Sequence, residues 1–151
     1  MEAQKKILIL GIGNLLLKDE GVGVHVVERM KDMALPPDVE VMDGGTMGFN
    51  LLYYLEGREK VIVIDAAKAG SPPGTLYRFT DKDLADKRGF FRTAHDFDFV
   101  DALKTARFLG HKPEVIIIGV EPEDMSDGLE LSPVIKEKIP RIIELVMKEI
   151  C

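Results

Sequence analysis

Lys60-Val61-Ile62-Val63-Ile64-Asp65 sets four consecutive β-branched residues between a cation and an anion. Branching at Cβ restricts χ1 and suits the pleated chain, and an unbroken apolar run fits a strand covered on both faces. The pattern recurs at Ile7-Leu8-Ile9-Leu10, closed by Gly11, and at Val115-Ile116-Ile117-Ile118. Val39-Glu40-Val41-Met42 is a shorter strand, expected to halt at Asp43-Gly44-Gly45. Thr75-Leu76-Tyr77-Arg78-Phe79 alternates more and follows Ser71-Pro72-Pro73-Gly74, which predicts an antiparallel edge strand.

Helical spacing fills the intervals. From Glu20, the residues Val22, Val26, Val27 and Met30 form one stripe, with Glu28 and Arg29 off it, and Leu35-Pro36-Pro37 closes the segment. Thr46 is expected to N-cap a helix carrying Phe49, Leu52, Tyr53 and Leu55, ended by Gly57. A polar stretch, Asp81 to Thr93, leads to a helix from Asp96 to Leu109 with Phe99, Leu103 and Ala106 on one face. Ser132-Pro133 opens the C-terminal helix, where Pro140 is expected to introduce a kink or a division. Strands alternating with helices predict an α/β fold: a three-layer α/β/α sandwich around a mostly parallel five-stranded sheet with one antiparallel edge strand, a single domain over residues 1–151.

Composition narrows the function. Hydrophobic residues at 46% and charged residues at 30% describe a chain that folds on its own. A net charge of −6 without a basic stripe argues against nucleic acid, which is gripped by clustered Lys and Arg. The single cysteine, Cys151, closes no internal disulfide and reads as an incidental thiol of a reducing compartment. MEAQKK leads into an apolar run too short for a secretory signal or a bilayer span, so cytoplasmic residence without membrane insertion is expected.

Open parallel sheets bind ligands beyond the carboxyl ends of their strands, at a switch in strand order. Glu20, Asp65 and His95 each fall there, and two carboxylates with one imidazole make a divalent-metal site if the strands are neighbours. Each also has a plainer role. Asp19 and Glu20 suit the first turn of a helix, where acids complement the backbone dipole; Asp65 can accept from turn amides; His95, beside Asp96 and Asp98, fits an exposed loop ahead of a helix. Asp43-Gly44-Gly45-Thr46 lies on the same rim, where paired glycines let a backbone pass close to a ligand or simply turn. His25 and His111 read as surface or helix-end residues.

Several familiar signatures are missing. Gly11-Ile12-Gly13 is followed by Leu16 where a dinucleotide fingerprint needs a small residue, and Asp19 and Glu20 would repel phosphate. Neither His-Glu-x-x-His nor Gly-x-Ser-x-Gly occurs.

Taken together, Gly11 to Gly23, Asp43 to Thr46, Val61 to Asp65, Ala94-His95-Asp96-Phe97-Asp98, Gly119-Val120-Glu121-Pro122-Glu123 and Leu131-Ser132-Pro133 resemble the hydrogenase maturation proteases. These are the endopeptidases that finish the large subunit of nickel-iron hydrogenases. The resemblance covers nearly the whole chain. It implies a metal-dependent endopeptidase that removes the C-terminal extension of the large-subunit precursor after nickel insertion, with the nickel carried by the substrate as the recognition element. It implies Glu20, Asp65 and His95 as the metal-contacting and catalytic set, and Asp43, Gly44, Gly45 and Thr46 as substrate-binding. Such a donor set leaves a coordination position open, and zinc or another divalent ion is able to occupy it in vitro. Glu121 stands where many relatives carry Gln, which bears on subfamily alone. The rival from another class is a non-catalytic chaperone that binds the nickel-loaded precursor by the same rim.

Overall fold

The computed structural model describes residues 4–45, 51–80, 82–83 and 94–150, with the side chains of 94–98 excepted. Thr46 and its expected cap, Cys151, most of the Asp81 to Thr93 stretch and the side chain of His95 therefore lie outside the described residues.

The strands are β1 (Ile7–Ile12), β2 (Val39–Gly45), β3 (Lys60–Ala66), β4 (Leu76–Thr80) and β5 (Glu114–Val120). They form one sheet in the order β2-β1-β3-β5-β4, parallel except for β4, which runs antiparallel to β5 at the edge. The expected sandwich and edge strand are what the chain forms. Each parallel strand buries both faces because helices cover both. Leu8, Leu10, Val61, Val63, Val115 and Ile117 pack with α2 (Leu51–Leu55) and α3 (Ala94–Phe108) on one side. Ile9, Ile62, Ile64, Ile116 and Ile118 pack with α1 (Val22–Met30) and α4 (Pro133–Ile150) on the other.

Four boundaries differ from expectation. β2 does not halt at Met42 but runs through Asp43-Gly44-Gly45, because β1 extends alongside it to Ile12, which pairs with Gly45 after a register shift. Asp19 and Glu20 do not open α1; they sit in a preceding 3-10 turn, Lys18–Gly21. α3 starts at Ala94, so His95 rides on its first turn rather than on the loop before it. Pro140 does not divide α4, which runs unbroken from Pro133 to Ile150 with the proline ring on its exposed side. Among the described residues no helix is long and apolar enough to cross a membrane.

β1 lies between β2 and β3, so the chain leaves its end in one direction and returns on the other side, the switch in strand order that opens a crevice. α1 is pressed directly onto that crevice. A Cβ at Gly23 would stand 2.0 Å from the Ile64 carbonyl oxygen and 2.7 Å from that of Ile12. Both are strand backbone and cannot yield.

Gly23→Ala should push α1 off the β1–β3 junction and destabilise the protein by about 2–3 kcal/mol or more, as overpacking against rigid atoms does. Chemical denaturation checks this; wild-type stability would mean that the junction is loose.

Candidate active site

Local backbone geometry builds the rim. Gly13, at φ 137°, lies so close to the turn that a Cβ would come within 2.0 Å of the Glu20 carbonyl oxygen. Its N–H donates to the Gly45 carbonyl at 3.1 Å, which fastens the end of β2 to the loop after β1. Three segments consequently meet at the carboxyl ends of β2, β1 and β3: Asp43 to Gly45, the turn carrying Glu20, and Asp65.

Glu20 and Asp65 are both buried, at 7% and 3% exposed. The approach of Gly23 to Ile64 brings the turn that ends at Gly21 against β3, one residue short of Asp65. Asp65 Oδ1 accepts from the Ala66 N–H at 2.8 Å. Asp43 is half-buried, Gly44 is buried under Leu10, and Gly45 adopts φ 41°. The structure thus brings Glu20, Asp65, Asp43, Gly44 and Gly45 to one rim, while the His95 imidazole and Thr46 lie outside the described residues. Among the described residues no three His, Cys, Asp or Glu side chains form a metal-holding group. Two buried carboxyl groups supply hard oxygen donors, and this donor chemistry fits a divalent cation that brings some of its own ligands.

Two other buried carboxylates play a part that sequence patterning missed. Asp19, fully buried, accepts four hydrogen bonds: from Ser132 N–H to Oδ1 at 2.8 Å, and to Oδ2 from Glu123 N–H and Asp124 N–H at 2.9 Å and from Ser132 Oγ at 2.7 Å. It does not cap its own helix; it gathers the loop between β5 and α4. Glu121 Oε1 accepts from Ala69 N–H at 2.8 Å, Ser71 N–H at 3.2 Å and Tyr77 OH at 2.7 Å, ordering the segment just beyond Asp65. Neither role has a local signal, because every donor but one at each acid is backbone from a distant part of the chain.

The β5–α4 loop is zipped along the Glu20 turn. Lys18 N–H donates to Gly128 O at 3.0 Å and Gly128 N–H to Leu16 O at 2.9 Å, while Asp19 N–H donates to Asp124 O at 3.0 Å. Lys18 Nζ pairs with Asp124 at 3.0 Å. The Ser126 hydroxyl and N–H, and then Lys18, hold the Asp124 carboxyl down to about 2. His25 is half-buried rather than a surface residue: the Leu129 backbone hydrogen-bonds its ring, Nε2 has no partner among the described residues, and burial pushes its pKa down. His111, by contrast, follows the end of α3, its N–H donating to Ala106 O at 2.9 Å.

Because the Asp124 pKa is depressed, its contribution is complete above the ordinary value of 3.8 and is lost as pH falls through about 2. An NMR titration of the side-chain carboxyl should give that midpoint; one near 3.8 would mean that the Ser126 and Lys18 contacts to this carboxyl are not formed in solution. At position 121, all three donors meet one oxygen, so Glu121→Gln should cost under about 1 kcal/mol. Glu121→Ala, which orphans them, should cost about 2–4 kcal/mol, measured by urea unfolding.

The hydrogenase maturation protease family model matches residues 24–149. The chain is 39% identical over 150 residues to the hydrogenase expression/formation protein HupD of Rhodobacter capsulatus, covering 97% of this chain and 71% of that one. It is 34% identical over 145 residues to the hydrogenase 2 maturation protease of Escherichia coli strain K12, covering 94% and 88%. The solved structure of the hydrogenase maturating endopeptidase HybD from E. coli superimposes with a TM-score of 0.90 at 33% identity, covering 95% of this chain and 91% of that one.

Proposed function

The chain belongs to the hydrogenase maturation protease family, and from that premise we propose that it removes the C-terminal extension of a nickel-iron hydrogenase large-subunit precursor once nickel has been inserted. Trimming the C-terminus of that precursor is the family's role. In this reading the nickel is part of the substrate, and Glu20, Asp65 and His95 supply two carboxylates and an imidazole to it. Asp43, Gly44, Gly45 and Thr46 receive the polypeptide alongside. Cytoplasmic residence belongs to the same reading.

The observation that carries it is the burial of Glu20 and Asp65 on one rim at the switch in strand order. Two carboxylates withdrawn from water on neighbouring segments offer the hard oxygen donors that a divalent cation takes, and a cation's charge favours their ionised form. A precursor without nickel brings no such charge, so selectivity for the loaded form follows from electrostatics. Holding the nickel there orients the scissile peptide, and charge that develops on its carbonyl oxygen or on an attacking water lies next to the cation. A resident zinc ion is not required; zinc added in vitro competes for the same donors.

Incubation of the protein with nickel-loaded and nickel-free precursor, followed by mass spectrometry, tests the proposal. Loss of the extension from the loaded form alone is expected. Glu20→Gln, Asp65→Asn and His95→Ala should each lower the rate at least about 100-fold with the melting temperature retained. Binding of the loaded precursor without any cleavage would favour the chaperone, and equal cleavage of both forms would remove nickel from the recognition step.

A further inference from the structure

Glu20 owes its place to a neighbour that never faces the rim. Asp19 is the adjoining residue of the same 3-10 turn, yet its carboxylate turns inward and is saturated by four donors from residues 123–132. The turn itself is unusual backbone: Lys18 adopts φ 42°, a conformation that a side chain with a Cβ rarely holds unless its surroundings impose it. What imposes it is the β5–α4 loop, which contributes the Gly128 and Asp124 carbonyls to Lys18 and Asp19 and receives the Asp19 carboxylate in return.

We propose that Asp19 is a positioning residue for the cleavage reaction, holding the Lys18–Gly21 turn in the one conformation that presents Glu20 to the substrate's metal. This rests on the reading that Glu20 acts at that metal. The carboxylate suits the task because it only accepts, and all four groups facing it donate. Asn is nearly the same shape but carries two hydrogens of its own. Placed at Oδ1 its amide nitrogen meets the Ser132 N–H, and placed at Oδ2 it meets the N–H groups of both Glu123 and Asp124. Either way a donor faces a donor, and the loop must draw back from the turn. The Ser132 hydroxyl is the only side chain among the four donors, so Ser132→Ala removes one bond and leaves the backbone ones.

Groups that orient a metal-contacting residue from behind typically govern affinity and rate by about 10–100-fold. Asp19→Asn, folded by circular dichroism, should therefore cleave nickel-loaded precursor with kcat/KM lowered about 10–100-fold. It should also bind Zn²⁺ alone, by calorimetry, about 10–100-fold more weakly. Ser132→Ala should shift both readouts the same way by less. A general loss of stability lowers the folded fraction but leaves the zinc affinity of the folded protein untouched. Asp19→Asn with wild-type rate and zinc affinity overturns the proposal, as does a lowered rate with unchanged zinc affinity. If Asp19→Asn does not fold, Ser132→Ala decides by the same two readouts. Glu20→Gln runs in parallel: if it cleaves normally the site itself is wrong, whereas an inactive Glu20→Gln beside a fully active Asp19→Asn sinks the role of Asp19 alone.

Discussion

The contact between Gly23 and the carbonyls of Ile12 and Ile64 is the constraint from which the rest follows. A helix can lie this close to two strand ends only where it has no side chain, so one missing Cβ sets the height of α1 above the sheet. That height decides where the preceding turn falls. With α1 seated, Lys18–Gly21 has nowhere to lie but across the end of β3, beside Asp65, and Gly13 completes the fit by letting the Glu20 carbonyl pass within a distance no Cβ would allow.

Carboxylates do two different jobs around that rim. Asp19 and Glu121 are buried and saturated by N–H and O–H donors, which makes up for their withdrawal from water and turns each into a knot joining loops far apart in sequence. Glu20 and Asp65 are buried beside them at the strand ends, where the switch in strand order leaves the crevice. The structural pair fixes the loops, and the loops fix the candidate pair.

The antiparallel edge strand belongs to the same plan. β4 returns along β5 in a register that sets Tyr77 opposite Gly119, from where its hydroxyl reaches Glu121. The loop from Asp65 to Thr75 is tied by this means to the end of β5: Gly74 N–H donates to Glu121 O at 2.8 Å and Ala67 N–H to Val120 O at 2.9 Å. An edge that would otherwise be an open row of peptide groups thus helps to order the segment leaving the rim. At the opposite end of the sheet Arg58, 6% exposed, pairs with Glu40 at 2.8 Å and donates to the Tyr54 and Lys5 carbonyls, a buried charge that is satisfied much as Asp19 is.

By itself the sequence determined the layers. Runs such as Val61 to Ile64 and Val115 to Ile118 are apolar on both faces, and that property is local, so strand identity, the covered sheet and the edge position of Leu76–Thr80 could all be read without coordinates. The resemblance of Gly11–Gly23 and its companion segments likewise pointed to the family and to Glu20 and Asp65. Tertiary structure alone decided what the acids do. Asp19 and Glu20 are adjacent, carry the same charge and look interchangeable at the start of a helix, yet one faces four donors from residues more than a hundred positions away and the other lies at the rim. No local pattern encodes that difference, because a hydrogen bond to a backbone N–H leaves no mark on the identity of the donor residue. The same reasoning explains why β2 outran its expected end: glycine is a poor strand former on its own, and only the neighbouring Gly11–Gly13 backbone makes Gly44 and Gly45 part of the sheet.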